Sequence, residues 1–264
     1  MKKKILVISI IIGIVILSGC TQPDDELEIE ETEVSIACWN LQIFGKTKAS
    51  DVQLMHGYME ILDDYDIFII QEIRDKSGDA VQTLIDKADG YNYIISERAG
   101  FTSVKEQYAV FYLEDKVVFD GAHDYAIEMQ DKISRPPLQV SFRVNGWDFD
   151  VWTIHTDPDT VPSDLYYTQD IIGVQSKDTI IIGDLNADGA YYDEDDIQHF
   201  VEGWKWVIPN DVDTTVASSD NTYDRIIVNS NCENNVISYG VVDDITSEQS
   251  DHYLIYGVFD TTAE

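Results

Sequence analysis

The chain has 264 residues, 44% of them hydrophobic, and sets 50 acidic side chains against 17 basic ones for a net charge of −33. That apolar content supports a packed core and excludes a disordered or low-complexity protein. The acidity argues against a broad basic surface for polyanions and fits a halophilic or salt-tolerant protein, since the Debye length falls to about 3 Å in 1 M salt.

Lys2, Lys3 and Lys4 precede an apolar run from Ile5 to Leu17, the layout of a secretory signal. The run is shorter than the roughly 20 residues a membrane-spanning helix needs. Leu17-Ser18-Gly19-Cys20 resembles the lipobox of bacterial-type lipoproteins, which implies cleavage before Cys20 and lipid on its sulfur. The alternative is an uncleaved N-terminal anchor; on either reading the body of the protein lies outside the cytoplasm. Losing the three leader lysines takes the charge from −33 to −36. Residues 21–33, with Pro23 and a dense run of acids, read as a flexible tether. Residues 34–264 read as one domain with no repeat, long enough for a single large core.

Within it, Val34 to Trp39 reads as a strand ending at Asn40. Val52, Met55, Met59 and Leu62 recur at helical spacing from Asp51 to Leu62, with Ser50 as N-cap. Asp66 to Ile70 is a buried strand ending in Gln71-Glu72, and Asp79 to Ala88 a helix stopped by Gly90. Strands follow at Tyr91–Ser96, Tyr108–Leu113, Lys116–Phe119, Leu138–Val144 and Phe149–His155, then a helix at Leu165–Val174. Asp178 to Ile182 is an apolar, β-branched strand. Trp204–Ile208, Arg225–Val228, Val236–Val241 and Tyr253–Phe259 complete the strands.

The strand at Asp178 ends in Gly183, with Asp184 and Asn186 two apart. Alternate residues at a strand end point the same way, so a carboxylate to orient water and an amide to hold a phosphate oxygen can reach one spot. Asp184-x-Asn186-x-Asp188-Gly189, with Asp195 further on, also approaches the calcium-loop pattern. That loop needs an entering helix and a final Glu, and a plain acidic turn is a third reading. Cys38 sits in an apolar run and Cys232 in a polar loop; a bridge between them is open, and a free, buried Cys38 is preferred.

Polar residues recur where strands stop: Asn40, Glu72, His155, Asp184 with Asn186, Asp224, then Asp251 with His252. Each alone suits a turn. Together they describe a metal-dependent hydrolase site at one edge of a layered sheet.

The ordered segments Trp39-Asn40-Leu41-Gln42-Ile43-Phe44-Gly45, Ile70-Gln71-Glu72-Ile73-Arg74-Asp75, Ser103-Val104-Lys105-Glu106-Gln107-Tyr108, Ser134-Arg135-Pro136-Pro137 and Thr153-Ile154-His155 carry a specific resemblance. Gly183 to Asp188, Trp206-Val207-Ile208-Pro209, Asp213-Thr214-Thr215, Tyr223-Asp224-Arg225-Ile226 and Ser250-Asp251-His252-Tyr253 continue it. The chain resembles the pancreatic-type deoxyribonuclease I family, within the endonuclease/exonuclease/phosphatase superfamily, over nearly all of residues 34–259. The resemblance implies an α/β fold, a four-layer sandwich of two packed, mainly antiparallel sheets flanked by helices. It implies a magnesium or manganese ion at Asn40, Glu72 and Asp251, catalysis by Glu106, His155, Asp184, Asp224 and His252, and phosphate or DNA contacts from Arg74, Arg135, Asn186 and Tyr223. Asp224 would hold His252 and Glu106 would hold His155. A structural calcium site survives in part through Asp213 and Thr215, while Ala217 offers no side-chain oxygen.

Departures from the family pattern concern DNA binding. Gln42 stands where the family has Arg and Val104 where it has Tyr, both disulfide features are lost or shortened, and Gly189 and Asn221 occupy the places of one bridge. Three readings follow: a lipid-anchored, monomeric, metal-dependent endonuclease acting on double-stranded DNA; a phosphodiesterase or phosphatase for a phospholipid or small phosphorylated molecule; and a non-catalytic surface binding protein. Arg74 after Glu72-Ile73, and Ser134-Arg135-Pro136, favour the first.

Overall fold

The computed structural model describes residues 32–193, 195–218 and 220–263. The leader, Cys20 and all but the end of the acidic tether lie outside the described residues.

Twelve strands form two six-stranded sheets. The first sheet contains β1 (Glu33–Phe44), β2 (Ile67–Ile73), β3 (Tyr91–Ile95), β4 (Gln107–Leu113), β11 (Val236–Val242) and β12 (Leu254–Asp260) in the order β11-β12-β1-β2-β4-β3. The second contains β5 (Val118–Asp124), β6 (Leu138–Val144), β7 (Trp147–Thr153), β8 (Asp178–Asp184), β9 (Trp204–Trp206) and β10 (Asp224–Asn229) in the order β5-β6-β7-β8-β10-β9. Only the neighbours β1/β2 and β7/β8 are parallel; the remaining pairs are antiparallel.

Strand alternation builds the layers. On one face of the first sheet, Ile36, Cys38, Ile67 and Ile69 pack against Val140, Phe149, Ile180 and Ile226 of the second. On its other face, Ala37, Trp39, Phe68 and Ile70 meet Met55, Tyr58 and Leu62 of α2 (Val52–Leu62) and Leu84 of α3 (Asp79–Ile85). The outer face of the second sheet offers Trp152, Ile181 and Ile227 to Val161, Leu165 and Ile172 of α4 (Val161–Ile172). These are the four layers expected.

Several boundaries differ from expectation. Ser50 does not cap α2, because it closes a short preceding helix, α1 (Lys46–Ser50), and its hydroxyl donates to the Thr47 carbonyl. Asp51 is the cap, its carboxylate accepting from the backbone N–H groups of Gln53 and Leu54 at 2.9 and 3.1 Å. The helix expected to Ala88 stops at Ile85. The strand expected from Lys116 begins at Val118, since the Lys116 ammonium turns to Asp66 at 3.0 Å and Val117 drops into the core. α4 begins at Val161, where Pro162 suits the first turn. Glu33, assigned to the tether, already belongs to β1. Cys38 and Cys232 are both free and buried. Cys232 is polar only in its sequence neighbourhood, and its side chain joins the core between the sheets.

Candidate active site

The strand directions explain why scattered residues meet. β1, β2, β7 and β8 end at the same edge of the sandwich from which β4, β6, β10 and β12 begin. That edge receives Asn40, Glu72, His155 and Asp184 from strand ends, and Glu106, Arg135, Asp224, Asp251 and His252 from strand beginnings. Asp184 and Asp224 are paired directly across β8 and β10. Among the described residues, four of the six non-glycine positions with positive φ lie at this edge: Gln42, Ile43, Glu72 and Asn186. Such conformations cost roughly 1–3 kcal/mol each and gather where function demands a geometry.

Asp184 is the centre of the arrangement. Its Oδ2 lies 3.3 Å from His155 Nε2 and 3.5 Å from His252 Nε2. Each imidazole is held from behind by its own carboxylate, His155 Nδ1 by Glu106 Oε1 at 2.5 Å and His252 Nδ1 by Asp224 Oδ2 at 2.8 Å. Both expected pairings are present. Burial alone would lower the pKa of either histidine; Glu106 and Asp184 reverse this for His155, while Asp224 and Asp184 lift His252 to about 10. Burial pushes the Asp184 carboxyl upward, but the two imidazoles and the Asn40 amide hold it below its usual range. The two rings and the Asn40 amide thus favour the ionised form of the central carboxylate.

Glu72 lies beside this group. Its Oε2 accepts from the Ile43 N–H at 2.7 Å and from Arg74 Nη2 at 2.8 Å, whereas the nearest hydrogen-bond partner of Oε1 is Asn40 Nδ2 at 3.4 Å. Asn40 Nδ2 also donates to Asp184 Oδ2 at 3.0 Å, and its Oδ1 accepts from the Gln42 N–H at 2.9 Å. Asp251 is half-exposed, with Oδ1 3.9 Å from His252 Nε2. A loosely engaged Glu72 oxygen, the Asp251 carboxylate and access to solvent make a hard-oxygen donor set that fits a divalent cation retaining several waters. The ligand atoms of Glu72, Glu106 and His155, and of Asp184, Asp224 and His252, each lie close enough together to hold a metal. In both groups the histidine is already paired to a carboxylate, which leaves Glu72 as the freest donor.

The other expected contacts are partly engaged by the protein itself. Arg135 donates to the carbonyls of His155, at 2.8 Å, and Thr156, and approaches Glu106 at 3.7 Å. Arg74 Nε lies 3.7 Å from Glu106. Asn186 donates to the Thr156 carbonyl at 3.1 Å, and its N–H reaches Asp184 Oδ1 at 3.0 Å. The Tyr223 ring stands 6.4 Å from that of His252. The calcium-loop reading of Asp184–Asp195 fails, because β8 rather than a helix enters the loop and Asp184 is buried among the histidines. In the Asp213 segment, Oδ1 accepts from the N–H and hydroxyl of Thr215 and from the Asn221 N–H, tying the loop together.

Supporting residues missed in sequence reasoning hold this geometry. Tyr108 accepts from the His155 N–H and donates to the Arg135 carbonyl, both at 3.0 Å. The Ser250 hydroxyl donates to the Asn40 carbonyl at 2.6 Å and accepts from the His252 N–H at 3.1 Å. Gln71, wholly buried, bonds to Thr153, Ile154 and Asp184. Tyr108, Ser250 and Gln71 all lie in segments that carry the family resemblance, and Gln71 is also a lone amide inside the apolar β2.

A family model described as the Endonuclease/Exonuclease/phosphatase family matches residues 37–252. Deoxyribonuclease-1 of Oryctolagus cuniculus is 31% identical over 255 residues, covering 84% of this chain and 91% of the relative. The Homo sapiens Deoxyribonuclease-1 is 30% identical, with coverages of 84% and 90%. Among solved structures, humanized D. rerio TDP2 matches with a TM-score of 0.67 at 16% identity, over 88% of this chain and 100% of that one. A mannosyl-6-phosphatase of Bacteroides thetaiotaomicron matches with a TM-score of 0.64 at 18% identity, over 85% and 98%. The solved structures share the fold. The span matched by the family model opens in β1 and closes on His252, taking in every residue gathered at the candidate site, and the chain belongs to the endonuclease/exonuclease/phosphatase family.

Proposed function

We propose that the protein is an exported, lipid-anchored, metal-dependent endonuclease that hydrolyses phosphodiester bonds of double-stranded DNA and acts as a monomer. The observation that carries this reading is Asp184, placed between two histidines that each have a carboxylate behind them. The Deoxyribonuclease-1 relatives, near 30% identity over most of the chain, favour DNA over other phosphodiesters.

Attack on an anionic diester needs a placed water, a proton acceptor, and help for the departing alkoxide. Asp184 orients the water and keeps the rings of His155 and His252 facing one point. Glu106 and Asp224 fix the tautomers, so that Nε2 of each ring faces the reacting phosphate. One ring takes the proton from water; the other, protonated, gives its proton to the leaving oxygen or steadies the phosphate. Asn186 and Tyr223 lie beside a phosphate placed there, and Arg74 and Arg135 supply positive charge from the flank. Magnesium or manganese, held by Glu72 with Asp251 and Asn40 at the mouth, would neutralise phosphate oxygens and stabilise the leaving group.

The test is incubation of the full chain in detergent with supercoiled plasmid, a phospholipid and a chromogenic phosphodiester. Plasmid nicking that requires the metal supports the proposal. Turnover of the phospholipid alone would move the substrate class, and inactivity on all three would leave a binding protein.

A further inference from the structure

We propose that Gln71 and Gly183 act as a pair that positions Asp184 against His155, making Gln71 a positioning residue of the catalytic centre. The inference rests on the phosphodiesterase reading above. β2 is buried throughout, and Gln71 is the one primary amide in it. A buried amide costs several kcal/mol unless satisfied, and this one is satisfied only across the sandwich. Nε2 donates to Thr153 Oγ1 at 3.0 Å and to the Ile154 carbonyl at 2.9 Å, while Oε1 accepts from the Asp184 N–H at 3.0 Å. One side chain from the first sheet thus joins the ends of β7 and β8 in the second. Each anchor adjoins a residue of the site: Glu72 follows Gln71, Asn40 is its partner in the β1/β2 register, His155 follows Ile154, and Asp184 is bound directly.

Gly183 makes room for this. A Cβ there would stand 2.3 Å from the Ile154 carbonyl oxygen and 2.5 Å from Gln71 Nε2. Its φ is not positive, so the glycine serves space and not backbone conformation. No other side-chain type reproduces the link. Glu keeps an acceptor but loses both donors and buries a charge beside Asp184; Met fills the volume and joins nothing.

The test compares Gln71→Met, Gly183→Ala and the double variant in kcat and KM on plasmid and on the chromogenic diester, with hydrogen exchange of the Asp184 amide as a readout independent of turnover. Displacing a catalytic group by about 1 Å costs on the order of 10²-fold. We expect each single variant to lose about that much in kcat with KM little changed, faster Asp184 exchange in Gln71→Met, and a double variant no worse than the singles. Should either variant fail to fold, the near-isosteric Thr153→Val removes one of the three bonds and should lower kcat several-fold. Unchanged kcat in a folded Gln71→Met or Thr153→Val, or losses that multiply in the double variant, would overturn the proposal. A wild type inactive on every diester would instead remove the functional reading, and unchanged Asp184 exchange in Gln71→Met would then overturn the positioning role separately.

Discussion

Asp164 offers a direct measurement of what a buried charge costs this fold. It lies in α4 with no exposed surface. One carboxylate oxygen accepts from the Asp157 N–H at 2.9 Å, pinning the loop that follows His155; the other has no hydrogen-bond partner. Burial foremost, with the nearby Asp157 charge, raises its pKa from 3.8 to about 6 despite the Asp157 N–H. A folded-state pKa above the unfolded one means that the native state binds the proton more tightly. The penalty is therefore absent below about pH 4, grows between about pH 4 and 6, and is nearly complete at pH 7. Two pKa units correspond to about 3 kcal/mol. Asp164→Asn keeps an oxygen for the Asp157 N–H and turns an NH2 towards the Thr160 hydroxyl, itself buried without a partner. It should be more stable than wild type by about 1–3 kcal/mol at pH 7, with the gap closing near pH 4. Urea unfolding at pH 4, 5, 6 and 7 measures this. An Asn variant no more stable at pH 7, or a gap that does not change with pH, would refute the reasoning.

Glu72→Gln, which keeps an acceptor for the Ile43 N–H, and His252→Gln should each fold and lose several orders of magnitude in plasmid nicking; nicking that persists in EDTA would exclude the metal. Nicking should rise from dilute buffer towards molar chloride at fixed magnesium, because Arg74 and Arg135 are already engaged internally and leave few phosphate contacts to screen, whereas the large negative charge repels DNA. A monotonic fall with the fold intact by circular dichroism would contradict this. Cys20→Ser should abolish partition with membranes after expression in a lipoprotein-processing host; a wild type found in the cytoplasm with Met1 intact would exclude lipidation.

Strand and helix types were legible because the core imposes clear periods: Ala37 and Trp39 face the helices while Ile36 and Cys38 face the other sheet. Ends were less so. Ser50 and Asp51 are both good caps by type, and only the unexpected α1 decides between them. The residues that gather at the candidate site were visible as polar strand ends, and the Glu106–His155 and Asp224–His252 pairings followed from family resemblance. Gln71 was not legible as a site residue, because its three partners lie 82, 83 and 113 positions away in the other sheet. Nor was the burial of Cys232, set by the core between the sheets and not by its polar neighbours. The resemblance implied a phosphate contact for Arg135; the backbone carbonyls it holds are in reach only once β7 is folded beside it.

β1 pairs Glu33 with Asp260, and the Thr261 N–H reaches the Thr32 carbonyl at 2.8 Å, so both ends of the described chain leave the sandwich together. Asn40 lies seven residues further along the same strand, which at about 3.3 Å per residue puts the candidate site more than about 20 Å away. Whatever grips the domain beside Thr32 or Thr261 holds it by the heel: a bead, a surface or a fused partner attached there leaves the opposite edge free to meet a molecule as wide as a duplex. Immobilisation through the exposed position 262, as Thr262→Cys, should therefore cost little plasmid-nicking activity, whereas coupling through Lys48, whose ammonium reaches the Leu41 carbonyl beside the site, should block it.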